Sequence, residues 1–248
     1  MKKRLLIMTL AACAAVAVQA ADVSTYVDFA SAYVFRGATF NNGLVMQPGA
    51  EISGFPIDEA CGSLAIGIWG NYDLDDNDGE GSDFSEIDYY LSYTLPIEAL
   101  DLSMAYTEYV YPESGLTNDK ELNLTIGSAL GTNGLYASVA VNYGVGGYLD
   151  DSWYIQPALE YETELSDALT ASAGISIGYV ISGGDIKADG VADGFNDATA
   201  SVGLGYALND NWSVSGGLTH IAQLDDDVLS DDAYDVDLVA TVGIACDF

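Results

Sequence analysis

The sequence predicts an all-β chain that forms a single antiparallel transmembrane β-barrel of 12 strands. Three observations support this prediction. Hydrophobic residues alternate with small or polar ones in segment after segment, the connections between segments alternate in length, and aromatic residues gather near the segment ends. Side chains on a strand point alternately to opposite faces, so each segment has one apolar and one polar face. In a membrane barrel the apolar face meets lipid and the polar face lines the interior.

Residues 1–20 have the composition of a secretory signal peptide. A basic start at 2–4 precedes an apolar stretch over 5–18 and a small-residue cleavage site at 18–20. The apolar stretch is too short to span a bilayer as a helix, which takes about 20 residues. The expected organisation is a signal peptide at 1–20 and an outer-membrane β-barrel at 21–248, exported through the periplasm to the outer membrane of a Gram-negative envelope.

The strands follow from the two-residue alternation. From Leu135 to Val145 the odd positions are Leu, Ala, Val, Val, Tyr and Val, and the even ones are Tyr, Ser, Ala, Asn and Gly. A soluble all-β protein is the alternative, because the pattern is weak in any one segment. The predicted strands lie near 23–35, 44–54, 62–72, 84–95, 100–111, 120–130, 134–146, 153–164, 169–180, 196–207, 212–223 and 234–248.

The connections between these strands form two classes. Those after even-numbered strands are short, at 96–99, 131–133, 165–168 and 208–211, whereas those after odd-numbered strands are mostly longer and acidic, as at 73–83, 181–195 and 224–233. Short periplasmic turns and longer extracellular loops are typical of outer-membrane barrels, in which the strand ends also carry aromatic girdles. The last strand closes on Phe248, an ending familiar from barrels inserted by the outer-membrane assembly machinery, which is therefore an expected partner.

The charge of the chain excludes nucleic acid as a partner. The net charge is −32, and three of the six basic residues lie in the predicted signal peptide. Only Arg36, Lys120 and Lys187 then remain against 38 acidic residues. Such a chain repels polyanions at long range. Because half of the residues are nevertheless hydrophobic, the acidic and apolar residues must be sorted onto different surfaces.

Three stretches resemble a known family. They are SAYVFRG at 31–37, GIWGNY at 67–72, and EIDYYLSY at 86–93 continuing to YVYP at 109–112. In this order and spacing they are similar to the TorF-type porins, the Gcw_chp family of proteobacterial outer-membrane proteins. The resemblance covers mainly the first half of the chain. It implies an outer-membrane barrel with a pore, and it does not identify a substrate.

The parity of the strands predicts which charged residues face the lumen. If the apolar face meets lipid, the pore-lining candidates are Arg36, Asp28, Glu51, Glu86, Asp88, Glu121, Glu160 and Glu162. Rings of carboxylates favour cations in a pore. One interpretation is therefore a cation-preferring channel in which lumen acids hold Arg36 near a constriction. The other is that Arg36 satisfies buried carboxylates in a filled lumen.

Metal, cofactor and enzyme chemistry are not expected. Asp76, Asp78, Glu80 and Gly81 resemble part of an EF-hand loop, but their spacing is irregular, and a solvated acidic loop is the better interpretation. The single histidine, His220, has no serine motif beside it, so an outer-membrane lipase is not predicted. The remaining cysteines, Cys61 and Cys246, lie on strands that are not expected to be neighbours.

The function predicted from these features is passive passage of small solutes, with a preference for cations, by a porin in contact with outer-membrane lipid. The alternative is a non-conducting structural or surface-interaction barrel whose acidic loops bind divalent ions or a partner. An open lumen would favour the first and a plugged lumen the second.

Overall fold

The computed structural model describes residues 22–55, 59–75, 83–112 and 114–248. Twelve strands form a closed antiparallel barrel, which confirms the predicted fold. The signal peptide predicted at 1–20 lies outside the described residues. The barrel strands are β1 (Asp22–Ala30), β4 (Val45–Ser53), β5 (Ser63–Asp73), β6 (Phe84–Thr94), β7 (Asp101–Val110), β8 (Asp119–Ala129), β9 (Leu135–Gly146), β10 (Trp153–Glu164), β11 (Leu169–Ile181), β12 (Gly194–Ala207), β13 (Trp212–Gln223) and β14 (Leu238–Asp247).

The remaining elements are short. β2 (Tyr33–Phe35) and β3 (Ala38–Asn41) form a separate two-stranded sheet. One α-helix, α1 (Gly184–Ala188), and two 3-10 turns lie in the connections. Within the described ranges, no helix is long and apolar enough to cross a membrane.

The barrel closes where its first strand meets its last. Each barrel strand pairs with its neighbour in the chain, and β1 pairs with both β4 and β14. The closing ladder runs from Ser24 opposite Asp247 to Ala30 opposite Thr241. Closure leaves no strand edge unpaired, which is what a β-structure needs in a lipid environment, where no water can bond a free backbone group.

The outer face of the barrel is apolar. Large hydrophobic side chains at alternate positions of neighbouring strands are exposed, for example Ile66 and Ile68 on β5 and Val202 and Leu204 on β12. Exposed aromatic residues such as Tyr161 and Trp212 lie towards the strand ends. An apolar belt of this kind on a closed barrel is the surface of a bacterial outer-membrane protein.

The inner face carries polar side chains that are buried from solvent. Glu51, Glu86 and Glu121 are among the most buried residues of the chain. Tyrosine rings in the lumen cover glycines of the neighbouring strand. A Cβ added at Gly67 would lie 2.0 Å from the Tyr90 ring. The sequence thus puts a small residue where a large luminal ring must lie flat against the wall.

The structure corrects the first predicted strand. The sequence pattern indicated one strand over 23–35, but β1 ends at Ala30, and β2 turns back on β3 as a hairpin. The two residues of the turn are Arg36 and Gly37, with φ of 49° and 80°. Positive φ at both positions suits the two-residue turns that match the twist of paired strands. Arg36 therefore lies at the tip of a hairpin and not at the end of a barrel strand.

The segment 224–237 covers this hairpin, and the strand predicted from 234 begins only at Leu238. The amide of Thr39 donates to the Ala233 carbonyl at 2.8 Å, and the Val236 amide donates to Thr39 Oγ1 at 3.0 Å. Leu229 is buried against the turn, with its Cδ2 2.7 Å from the position of a Cβ added at Gly37. The hairpin is thus held between the barrel wall and this covering loop.

An apolar cluster inside the barrel holds the base of the hairpin. Its members come from the hairpin, from the ends of the strands around it and from the covering loop. They are Ala30, Ala32, Tyr33, Val45, Ile221 and Val239, with Val34, Phe35, Trp69, Tyr234 and Val236 packed against them. Burial of these side chains stabilises the inward position of the hairpin because each removes apolar area from water.

Candidate functional site

The hairpin tip crosses the lumen. The hairpin leaves the wall between β1 and β4, and the Arg36 side chain at its tip contacts β8 and β10. These two strands flank β9, which lies six strands from β1 in either direction round the barrel. Arg36 is therefore carried to the wall opposite the one from which its hairpin starts.

Arg36 forms a two-pronged ion pair with Glu121 on β8. Nη1 donates to Oε1 at 2.7 Å and Nη2 donates to Oε2 at 2.8 Å. The Glu121 side chain is 2% exposed and that of Arg36 is 17% exposed. Tyr109 Oη donates to Glu121 Oε2 at 2.7 Å. Paired, charge-assisted bonds of this geometry are among the strongest polar contacts in proteins.

Aromatic rings enclose the guanidinium of Arg36. Its Cζ lies 4.5 Å from the centroid of Phe35 and 4.5 Å from that of Tyr154 on β10. Tyr154 Oη in turn donates to Asp197 Oδ1 at 2.8 Å. Asn196 Nδ2 donates to the Arg36 carbonyl at 2.7 Å, which fixes the backbone of the turn. The head group therefore has a carboxylate in its plane and rings near its faces, as in cation–π contacts.

The ion pair keeps Arg36 charged in spite of its burial. Desolvation lowers the pKa of the guanidinium, but the charge and the hydrogen bonds of Glu121 outweigh it, so the pKa lies above its ordinary value. A buried charge whose partner is removed is strongly destabilising, whereas the intact pair adds little net stability. Arg36 and Glu121 therefore act as one unit.

Luminal carboxylates recur in pairs with tyrosine hydroxyl groups. Each of six tyrosines donates a hydrogen bond to an acid of another strand or loop position, mostly on the wall formed by β4 to β10. The donors and acceptors are Tyr33 to Glu86 at 2.8 Å, Tyr90 to Glu51 at 3.0 Å, Tyr109 to Glu121 at 2.7 Å, Tyr111 to Asp119 at 2.8 Å, Tyr136 to Asp101 at 3.0 Å and Tyr154 to Asp197 at 2.8 Å. We call this surface the tyrosine–carboxylate wall.

The other predicted lumen acids lie on the same inner face. Asp28 contacts the β14 position of Gly243, where an added Cβ would lie 1.9 Å from Asp28 Oδ1. Asp88 has one buried oxygen, Oδ1, without a hydrogen-bond partner among the described residues. Glu160 lies opposite Tyr136 in the ladder, and Glu162 follows it at the same parity. The structure thus joins Arg36 to Glu121 and distributes the remaining predicted acids along the lumen.

The wall formed by β11 to β14 is built differently. Apart from Asn196 and Asp197 beside the hairpin tip, its inner face carries mainly serine, threonine and glycine, with Ser176 Oγ and Thr199 Oγ1 2.7 Å apart. A Cβ added at Gly203 would lie 2.7 Å from Ser172 Oγ, and one at Gly243 would lie 2.9 Å from Ser215 Oγ. We call this surface the small-residue wall. Short side chains therefore line most of this side of the barrel.

The other two basic residues of the barrel region lie away from the ion pair. Lys120 Nζ is 3.9 Å from Glu108 Oε1, and both side chains are partly exposed. Lys187 belongs to α1 in the connection between β11 and β12. The charge of the lumen is therefore dominated by carboxylates, of which Glu121 is neutralised by Arg36.

Residues considered for other chemistry are not brought together. In the described part of the chain no group of three or more His, Cys, Asp or Glu residues could hold a metal ion, and the predicted loop at 76–81 lies outside that part. Cys61, in the 3-10 turn before β5, and Cys246 on β14 are free, and β1 and β4 lie between β5 and β14 in the barrel. His220 is exposed, with Nδ1 2.9 Å from the Asp237 carbonyl oxygen.

The sequence prediction missed the partners of the predicted residues. Tyr109, Tyr154 and Asp197 enclose Arg36 and Glu121, whereas the sequence pattern places aromatic residues only at the membrane interfaces. The alternation of the strands could have placed these tyrosines in the lumen. Tyr109 and Tyr154 lie on the same face as the luminal acids of their own or neighbouring strands. No local signal shows that the tip of the hairpin reaches β8, since the two are 85 positions apart.

Comparison with known proteins supports the architecture. No protein-family model matches the chain, and no curated protein matches it. Among solved structures, an outer-membrane channel of Pseudomonas putida is 7% identical with a TM-score of 0.55, covering 94% of this chain and 97% of that one. The NanC porin is 8% identical with a TM-score of 0.50, covering 92% and 99%. The dimeric outer-membrane phospholipase of Salmonella typhi, with bound calcium, is 14% identical with a TM-score of 0.53, covering 90% of both chains. At these identities the likeness is one of fold.

Proposed function

We propose that this barrel is a passive outer-membrane channel for small solutes and that it prefers cations. The observation that carries the proposal is the charge of the inner face. Glu51, Glu86 and Asp88 lie there without a basic partner among the described residues, while Arg36 is already paired with Glu121. Carboxylates along a pore raise the local concentration of cations and lower that of anions.

The hairpin sets where solutes pass. Because the tip of the hairpin crosses to β8 and β10, free passage is confined to the sides of the hairpin. The small-residue wall has mainly shorter side chains than the tyrosine–carboxylate wall, and its hydroxyl groups can replace water around a hydrated ion. A cation would therefore move along the small-residue wall in the field of the acids opposite. Twelve strands lie between the filled barrels of eight and the open pores of 16.

The fold and the sequence resemblance both support a channel or porin. Two of the three solved structures described above are a channel and a porin, and the stretches at 31–37, 67–72 and 86–93 resemble TorF-type porins. The apolar belt fits outer-membrane lipid. Hydrolysis is not proposed, because in the described residues His220 contacts a main-chain carbonyl and no serine hydroxyl.

Single-channel current in a planar bilayer under a salt gradient tests the proposal. We expect stepwise conductance and a reversal potential whose sign shows that cations pass more readily than anions. In the double variant Glu86→Gln/Asp88→Asn the reversal potential should move towards zero, since the negative charge of these two neighbouring carboxyl groups is lost while the pore keeps its width. Asp226→Asn/Asp227→Asn is the control, because it replaces two carboxyl groups by amides in an exposed loop.

The outcomes separate the two candidate functions. Equal shifts in the luminal and the loop variants would attribute the selectivity to total charge and not to the lumen acids. A folded, inserted barrel that passes no current would reject the channel. It would favour the alternative of a structural or surface-interaction barrel, for which the hairpin packed inside the lumen is the supporting observation.

A further inference from the structure

The geometry points to a guanidinium-binding site in the lumen, formed by Glu121, Tyr109 and Tyr154, which Arg36 of the same chain fills as a tethered ligand. The solutes proposed for this site are small organic cations that carry a guanidinium group and exchange with Arg36. That the site lies on a permeation route rests on the proposed function. The existence of the site does not.

The contacts of Arg36 are those that a free guanidinium ion would need. The planar head group has two N–H groups on the two oxygens of Glu121, at 2.7 and 2.8 Å. The Tyr154 ring lies near one face at 4.5 Å. Both the carboxylate and the ring belong to the barrel wall and not to the hairpin. The wall therefore carries a complete receptor for a planar cation.

The wall is also held in shape independently of Arg36. Glu121 accepts a bond from Tyr109 Oη at 2.7 Å, and Tyr154 is fixed by its bond to Asp197 at 2.8 Å. Each of these partners lies on a barrel strand. Removing the Arg36 side chain should therefore leave the carboxylate and the ring in place, because their other hydrogen bonds remain.

The attachment of the hairpin makes exchange feasible. Its base is packed in the apolar cluster, and its turn is held by the bond from Asn196 to the Arg36 carbonyl and by Leu229. The Arg36 side chain itself is held only by the ion pair with Glu121 and by the neighbouring rings. A competing cation therefore has only to replace the side-chain contacts of Arg36, and the turn and the base can stay packed.

Ligand binding to purified protein in detergent tests the site without any need for conductance. The variant is Arg36→Ala, and the probe is methylguanidinium chloride, with N-methylurea as an uncharged probe of the same shape and sodium chloride at equal ionic strength. We expect methylguanidinium to bind Arg36→Ala in calorimetry and to raise its thermal midpoint. N-methylurea and sodium chloride should do neither.

Two further variants test whether the probe binds at Glu121. Arg36→Ala/Glu121→Gln should bind methylguanidinium at least about tenfold more weakly, because one oxygen and the charge of the acceptor are lost. Lys120→Ala is the matched control: it removes a basic residue of the same strand that pairs outside the site, so it should bind no more probe than the unmodified chain. In the unmodified chain the tethered group competes at high effective concentration, so binding should be much weaker there.

These experiments test the guanidinium-binding site separately from the proposed channel function. Equal binding of methylguanidinium by Arg36→Ala and by the double variant would overturn the site, whether or not the barrel conducts. Binding without current would keep the site and reject the channel. If Arg36→Ala does not fold alone, it is refolded with each probe. A folded yield that rises with methylguanidinium and not with N-methylurea supports the site, and equal yields with both overturn it.

Discussion

The two walls of the lumen differ in what their residues do. On the tyrosine–carboxylate wall, long side chains bond each other across strands, as Tyr90 does with Glu51 and Tyr109 with Glu121. On the small-residue wall, serine, threonine and glycine make short contacts such as that of Ser176 with Thr199. One side of the barrel thus carries most of the tyrosine–carboxylate bonds, and the other carries mainly short side chains.

This difference has a consequence for the hairpin. Its tip binds the tyrosine–carboxylate wall and is pressed on the other side by Leu229 of the covering loop. A charged tip needs a partner, and Arg36 pairs with Glu121 of the first wall. The buried carboxylate of Asp197 on β12 accepts its hydrogen bonds from Tyr154 and Asn196 instead. The distribution of acids therefore decides where the hairpin rests and, under the proposed function, where cations are attracted.

The largest effect is expected for Glu121→Ala. It leaves the guanidinium of Arg36 buried without its counter-charge, which costs about 3–5 kcal/mol for a buried pair broken on one side. Urea unfolding of the refolded barrel, followed by the gel mobility of the folded and unfolded forms, measures the loss. The comparison is Glu108→Ala on β7, whose pair with Lys120 is partly exposed at 3.9 Å and should contribute about 0–1 kcal/mol. Similar losses for both would contradict the role given to burial.

A second, smaller effect compares the two walls through their glycines. In Gly67→Ala the new Cβ would lie 2.0 Å from the Tyr90 ring, so the ring has to move and its bond to Glu51 is broken. We expect about 1–3 kcal/mol of destabilisation, as for other overpacked sites. In Gly205→Ala on β12 nothing lies within 4 Å of the new Cβ, so the change should be close to neutral. The midpoints of urea unfolding of both variants check this, and a neutral Gly67→Ala would show that the ring is not packed as described.

The barrel itself could be predicted from the sequence, because the period of two depends only on which face of a strand meets lipid. The predicted strand over 153–164 has the bounds of β10, and most others agree within a few residues. Loop lengths then gave the connectivity. These signals are local, so a single sequence contains them.

The hairpin could not be predicted in the same way. Its residues Tyr33, Val34 and Phe35 continue the alternation of β1, so the pattern contains no break at Ala30. The Arg36–Gly37 turn was the available signal, since a glycine between two short β-prone segments is typical of a hairpin. That the hairpin folds inwards depends on Glu121, Tyr154 and Asn196, which are far away in the chain. Parity identifies such residues as luminal but does not pair them.

The smallest effect is expected when one hydrogen bond of the tyrosine–carboxylate wall is removed and the shape of the wall is kept. Tyr90→Phe removes the donor to Glu51 at 3.0 Å and keeps the ring over Gly67. Loss of one such bond should cost about 1 kcal/mol, because the neighbouring ring contacts remain. Thr199→Val on β12 removes the contact with Ser176 and is the matched change on the small-residue wall. Ser176 also accepts a bond from Gln156 Nε2 at 3.2 Å, so this loss should be smaller, and the difference in urea midpoint between the two variants measures it. If Thr199→Val lowers the urea midpoint more than Tyr90→Phe does, the hydrogen bonds of the small-residue wall stabilise the barrel at least as much as those of the other wall. The difference described between the two walls would then be wrong.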